Sequence, residues 1–311
     1  MLRVTGRTRL GVLATALVFL LAPSFALAAS CCGGAAGPSI IVPKLFRSRL
    51  DVSFDWERYD GLWDRDGTHR PDPPGSDLNQ YRLNVAYARR FGERWQAYVG
   101  VPYVWNDNDY SGTSSRSHGL GDSLLGAWWG ASGGWLYLGP SLTVPTGVSP
   151  YDDVDNSFDV TGRGFYRLDA NAMIEKTVGD WDFFLLLGYG WHFERSVNRE
   201  YGRDVDPYDK DLGDRFSGTA AVSYTLATRT GLWTGTGGFN YVHEEEGSVD
   251  GERDPTGGLQ KTAVTGTASY TTRDRVWMVR ASWSHSIQDD DWGENFPTTD
   301  TYTLGVSHAF R

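Results

Sequence analysis

Residues 164–193 read GFYRLDANAMIEKTVGDWDFFLLLGYGWHF, and no other stretch limits the fold so strongly. In the first half Tyr166, Leu168, Ala170, Ala172 and Ile174 alternate with Arg167, Asp169, Asn171 and Glu175. Side chains of a strand point to opposite faces in turn, so one face is apolar and the other polar. A tight turn at Val178, Gly179 and Asp180 follows. Beyond it Trp181, Phe183, Leu185, Leu187, Tyr189, Trp191 and Phe193 fall on a single face, aromatic at both ends and aliphatic between them. A lipid bilayer demands that banding of a strand.

The same unit recurs along the chain. Apolar alternation over 47–57 leads into a polar loop over 59–77, then strands from Tyr81 and Trp95 flank a short turn. Loops over 105–119, 145–163, 194–214, 243–258 and 288–297 separate further pairs of alternating segments, and a last strand ends at Phe310. Twelve strands, six long loops and five short turns result. An even number of antiparallel strands with long loops at one end and short turns at the other predicts an all-β, 12-stranded transmembrane barrel over 47–311. The long loops are then extracellular and the short turns periplasmic.

Alternation alone also suits a soluble barrel with its apolar face inward. The tryptophans argue for the membrane. Trp95, Trp135, Trp181, Trp233 and Trp277 each follow a short turn closely, which places five indoles at one height as a membrane-interface girdle. Their spacings of 40, 46, 52 and 44 residues resemble a propeller repeat, but only two strands fit between long loops.

The N-terminus supplies the address. Leu10 to Leu21 is apolar, Arg3, Arg7 and Arg9 precede it, and Ala26, Leu27 and Ala28 form a small-residue cleavage site. Residues 1–28 are therefore expected to be a Sec-type export signal, and 29–46 a short periplasmic segment. Excising the signal takes the formal charge from −10 to about −13, against any nucleic-acid partner. The mean hydropathy of −0.41, with 38 Gly and 43 aromatic residues, does not fit a helical membrane bundle.

A short block in the middle adds a family likeness. Gly119, Leu120, Gly121, Asp122, Ser123, Leu124, Leu125 and Gly126, followed by Pro140 to Val144 and Pro145, Thr146 and Gly147, resemble the outer-membrane family named for the MetA pathway of phenol degradation. Its strand start G-x-G-D and strand end P-T-G are both present, and residues 98–103 look like its preceding strand. The resemblance implies an outer-membrane channel, associated in some members with uptake of aromatic or hydrophobic compounds. A related 12-stranded channel of the wider group exports functional-amyloid subunits and carries a periplasmic helical segment. Here only about 18 residues precede the first strand, which disfavours export.

Candidate sites follow from strand parity. Arg82, Asn84, Arg167, Asp169, Asn171, Glu175, His192 and Arg280 are expected to face the lumen. They would either set up a transverse field for a polar solute or pair across strands to fill a narrow barrel. Acidic clusters at 106–109, 152–155, 244–246 and 289–291 read as solvated loop surface, without EF-hand spacing. Six scattered histidines show no metal-ligand spacing, and no G-x-S-x-G marks a hydrolase, so neither a metal, a cofactor nor an enzyme is expected. Cys31 and Cys32 are the weak exception: they could bind a soft metal, close a vicinal disulfide, place a lipid on Cys31 or have no role.

The expectation is a channel for passive or weakly selective passage of small molecules in the outer membrane of a Gram-negative-type cell. Its partners would be the bilayer, lipopolysaccharide, the barrel-assembly machinery and a small solute, with the oligomeric state open. The rival is a plugged surface-interaction barrel whose acidic loops are the binding surface.

Overall fold

The computed structural model describes residues 41–131, 134–154, 159–255 and 257–311. The expected signal segment, Cys31 and Cys32 lie outside them. Twelve long strands form the wall: β1 (Ser48–Trp63), β3 (Asp77–Phe91), β4 (Trp95–Tyr110), β6 (Ser123–Gly130), β7 (Leu136–Val144), β8 (Arg167–Val178), β9 (Trp181–His192), β12 (Arg215–Ala227), β13 (Gly231–Glu244), β16 (Leu259–Thr272), β17 (Trp277–Ser286) and β19 (Phe296–Phe310). Each pairs antiparallel with its neighbours, β1 pairs with β19, and the sheet closes without an edge. Closure matters because hydrocarbon offers no partner to an unpaired backbone group.

Seven short strands decorate the long-loop end: β2 (His69–Arg70), β5 (Thr113–Leu120), β10 (Arg195–Glu200), β11 (Arg203–Asp211), β14 (Ser248–Val249), β15 (Glu252–Arg253) and β18 (Gly293–Glu294). Of these, β10, β11, β14 and β15 build a separate four-stranded sheet from two loops. At the other end the connections are tight. Between Val178 and Trp181 the chain turns on Gly179 at φ 63°, a conformation that suits glycine and a two-residue hairpin.

The outer face is apolar and the inner face polar. Phe183, Leu185, Leu187, Val85, Val222, Val279 and Leu304 are exposed outward, whereas Asp51, Ser53, Asp169, Thr234 and Ser307 are buried inward. All five expected girdle indoles, Trp95, Trp135, Trp181, Trp233 and Trp277, are exposed at the short-turn end. A second aromatic group, including Trp56, Trp105, Trp191, Trp283 and Tyr302, stands exposed toward the loops. Ten residues of β9 separate Trp181 from Trp191, about 25 Å of wall at roughly 3.3 Å per residue and a tilt near 40°.

Several strands run past the expected loop starts. β1 continues to Trp63 after an irregularity between Tyr59 and Leu62, and β4 continues to Tyr110, where β5 extends it as a hairpin. Beyond the bilayer both faces of a strand meet water, so the sequence alternates polar with polar and the period disappears. Asn106 and Asn108, expected in a solvated loop, are buried inward on β4.

Candidate functional site

Strand parity aims a set of charged side chains at the axis, and almost all of them pair. Asp51 on β1 is held by Arg280 of β17, whose two terminal nitrogens donate to its carboxylate at 2.7 and 2.8 Å. Arg49 lies 3.4 Å from the same carboxylate and donates to Ser307 Oγ at 2.8 Å. Above them Arg82 donates to Glu57 at 2.7 Å and lies 3.7 Å from Asp55, while Lys261 of β16 stands 3.8 Å from Glu57. Asn84 donates to Asp55 at 2.8 Å. On the opposite wall Arg167 donates to Asp169 at 2.8 Å, and Asn171 donates to Ser141 Oγ at 3.0 Å.

A loop crosses between these walls. Residues 145–154 and 159–166 lie between β7 and β8, and Asp122 ties the two pieces together by accepting from Gly147 N at 3.2 Å and Arg163 N at 2.7 Å. Asn106 of β4 donates to the Val160 carbonyl at 3.0 Å. Arg163 reaches the other way and forms a two-pronged pair with Glu244 of β13, at 2.6 and 2.7 Å. Strands β4 and β13 are six strands apart by either route around the closed sheet. Residues 160–163 are thus a strut from one wall of the mouth to the wall facing it.

Further contacts steady the strut. Arg215 lies 3.8 Å from Glu244, and His192 Nε2 lies 4.0 Å away, with its Nδ1 hydrogen-bonded to the Gly213 carbonyl at 2.8 Å. The Ser149 N–H and hydroxyl both donate to Asp152 at 2.7 Å, and Arg195 bonds Asp152 and the Gly164 carbonyl. Gly164 has φ 83°, and a Cβ there would strike Ser149 and Arg195. Burial pushes the Asp152 carboxyl up, but the Ser149 and Arg195 donors outweigh it and hold the group below its ordinary value.

The periplasmic half of the lumen is different in kind. Ala86, Ala88, Tyr98, Trp128, Tyr137, Met173 and Ala309 form an apolar floor, with Leu124, Phe184 and Leu186 packed against it. Ile41, Val42 and Phe46 of the N-terminal segment sit in its midst, almost fully buried. Burial of such side chains stabilises by roughly 1.5–3 kcal/mol each. Polar groups position the segment as well: Val42 N donates to Gln96 Oε1 at 2.8 Å, and Arg90 donates to the Val42 and Lys44 carbonyls. The segment expected to lie in the periplasm therefore enters the barrel at its C-terminal part.

All eight candidates read from the sequence lie on the inner face, but not together. Arg82, Asn84 and Arg280 belong to one wall, Arg167, Asp169 and Asn171 to the other, and His192 to the mouth beside Glu244. Glu175 lies deeper, buried beside Asp182, which accepts from Thr177 Oγ1 at 2.9 Å. Asp51, Glu57, Arg215 and Lys261 share the inward parity and could have been added by the same rule. Arg163 has no such signal, since a single arginine in a loop obeys no period. Glu244, expected in a solvated run, is instead the last residue of β13, and its side chain is 3% exposed. Among the described residues no group of three His, Cys, Asp or Glu is arranged to hold a metal ion.

The whole architecture matches solved outer-membrane barrels. An outer membrane channel from Pseudomonas putida F1 superposes with a TM-score of 0.66 at 15% identity, covering 88% of this chain and 97% of that one. The β domain of the Bordetella autotransporter BrkA follows at 0.54 and 12% identity, covering 85% and 100%. These likenesses establish the fold, a closed barrel of the outer membrane. No match is found among curated proteins. The family described as the MetA-pathway of phenol degradation matches residues 62–304, and the chain belongs to that family.

Proposed function

We propose that the protein is an outer-membrane channel for passive or weakly selective passage of small molecules, aromatic or hydrophobic compounds among them. One observation carries the reading: among the described residues, the strut across the mouth and the N-terminal segment in the floor are held by contacts outside the interstrand ladder. The strut hangs on Arg163–Glu244, Asn106–Val160 and the Asp122 bonds, and the floor on the Ile41 to Phe46 segment. None of these contacts belongs to the interstrand ladder. The charged pairs behind them line a path for a polar or polarisable solute. Family membership and the likeness to the Pseudomonas putida neighbour, an outer membrane channel, support the same reading.

Within this proposal, the five tryptophans near the short turns anchor the periplasmic interface, lipopolysaccharide meets the loop end, and insertion uses the barrel-assembly machinery. No step of the reading needs a bond made or broken, so the protein acts without catalysis. A second reading is favoured by the same strut and floor: a permanently plugged barrel whose acidic loops are a binding surface. Swelling of proteoliposomes in a small monosaccharide separates the two. Swelling by Arg163→Ala protein faster than by wild type supports the channel, and no swelling by either supports the plugged barrel.

A further inference from the structure

Arg215 differs from every other cation of the belt. Arg49, Arg82, Arg163, Arg167, Lys261 and Arg280 each donate at least one hydrogen bond to another side chain. Among the described residues the Arg215 guanidinium donates none, and the nearest carboxylate oxygen, Glu244 Oε2 at 3.8 Å, already accepts from Arg163. The neighbouring carboxylates are engaged too: Asp169 accepts from Arg167, and Asp122 from the amides of Gly147 and Arg163. A guanidinium carries five N–H donors in a planar fork, so Arg215 presents a complete, unused fork to the lumen.

The surroundings leave access and add charge. Arg215 pairs in register with Gly190 of β9, and the next inward position of that strand is Gly188, so β9 puts no side chain beside it. Arg167 and Asp169 of β8 lean over Gly190 instead, since a Cβ there would strike both. The side chain of Arg215 keeps 26% of its surface open, and that of Arg163 keeps 39%. Arg163, Arg167 and Lys261 all repel Arg215. Like charges gathered around a guanidinium that no carboxylate bonds are unfavourable by themselves, and an anion relieves them.

We infer that Arg215, with Arg167 beside it, is a binding site for a small solute carrying one carboxylate. The planar carboxylate takes the free fork of Arg215 through two parallel N–H···O bonds, and Arg167, which holds Asp169 through its Nε, supplies a second positive charge. The site suits a monoanion. One guanidinium lacks a bonded carboxylate, and Glu244 and Asp169 nearby repel the second charge that a phosphate dianion would bring. The inference rests on the channel reading only for how the solute arrives.

Saturation-transfer NMR on the detergent-solubilised barrel tests the site, with propionate as the probe and propionamide as its uncharged counterpart. Wild type should bind propionate and not propionamide. Arg215→Gln should weaken propionate at least about tenfold, and Arg215→Lys, which keeps the charge and loses the fork, about threefold. Arg58→Gln removes an exposed cation of β1 and should change nothing. Heat-modifiable migration on a gel reports that each barrel is folded. Equal binding by wild type and either Arg215 variant overturns the inference, as does equal binding of propionamide, a loss on Arg58→Gln matching that on Arg215→Gln, or tighter binding of inorganic phosphate than of propionate. Arg215-dependent binding in a protein without conductance would sink the channel reading and leave the site standing, and conductance without such binding would do the reverse.

Discussion

Arg163 and Glu244 meet across the mouth of the barrel, one from a loop and the other from the wall, with two hydrogen bonds of 2.6 and 2.7 Å. The arrangement is asymmetric. Glu244 is also approached by Arg215 and His192, so it is the hub, and Arg163 is one of its spokes. Removing the hub strands two guanidinium groups, whereas removing the spoke leaves the carboxylate with a cation. Glu244→Ala should therefore destabilise the barrel by about 3–5 kcal/mol, and Glu244→Gln by less. Denaturant unfolding from lipid vesicles, followed by tryptophan fluorescence, measures both; equal and negligible losses would refute the hub.

The outward face should respond to charge by depth. Leu185 lies midway along β9, and Leu226 lies one residue from the end of β12 at the short turns. Leu185→Arg should cost roughly 2–4 kcal/mol and Leu226→Arg about 0–1. The same unfolding experiment reads this profile. A flat response, or a larger loss at Leu226, would place the bilayer elsewhere on the wall.

Acid should loosen the strut's outer anchor. The Asp152 carboxyl is held below its ordinary value of 3.8, burial opposing and the Ser149 and Arg195 donors prevailing. A group whose folded pKa is depressed contributes stability above its unfolded value, and the contribution is lost as pH falls through the folded value. Amides of residues 149–152 should accordingly lose exchange protection below about pH 4 relative to pH 7. In Asp152→Asn protein that protection should be low at both pH values. Unchanged protection in acid would remove Asp152 from the anchor.

The paired belt of the lumen carries the opposite charge sign to the chain, with Glu175 and Asp182 lying deeper. Around the paired belt seven cations, Arg49, Arg82, Arg163, Arg167, Arg215, Lys261 and Arg280, face five carboxylates, Asp51, Asp55, Glu57, Asp169 and Glu244. The whole sequence has a formal charge of −10. Reversal potentials in a potassium chloride gradient should show a preference for chloride. A potassium preference would mean that the acidic loops, not the belt, control passage.

The wall was legible because a bilayer imposes the period of two at full strength. Leu185 and Asp169 declare their faces, and Trp181 declares its height, from sequence alone. The same rule fails where water lies on both sides: β4 above Trp105 alternates Asn with Asp, and its burial of Asn106 leaves no trace in the pattern. Arg163 and Ile41 were invisible for another reason. Each acts by long-range placement, Arg163 across the lumen and Ile41 from outside the wall, and neither belongs to a repeating element whose spacing could announce it. The separation of Arg82 from Arg167 was equally hidden, since parity gives the face of a strand and not its place around the barrel.

The most direct test of a gated lumen is single-channel conductance in planar bilayers, wild type against Arg163→Ala. Discrete current steps are expected for both, with the variant open longer or at least about twofold more conductive, since the strut has lost its arm while the wall keeps its hydrogen bonds. Currents indistinguishable from bare lipid in both proteins would contradict it.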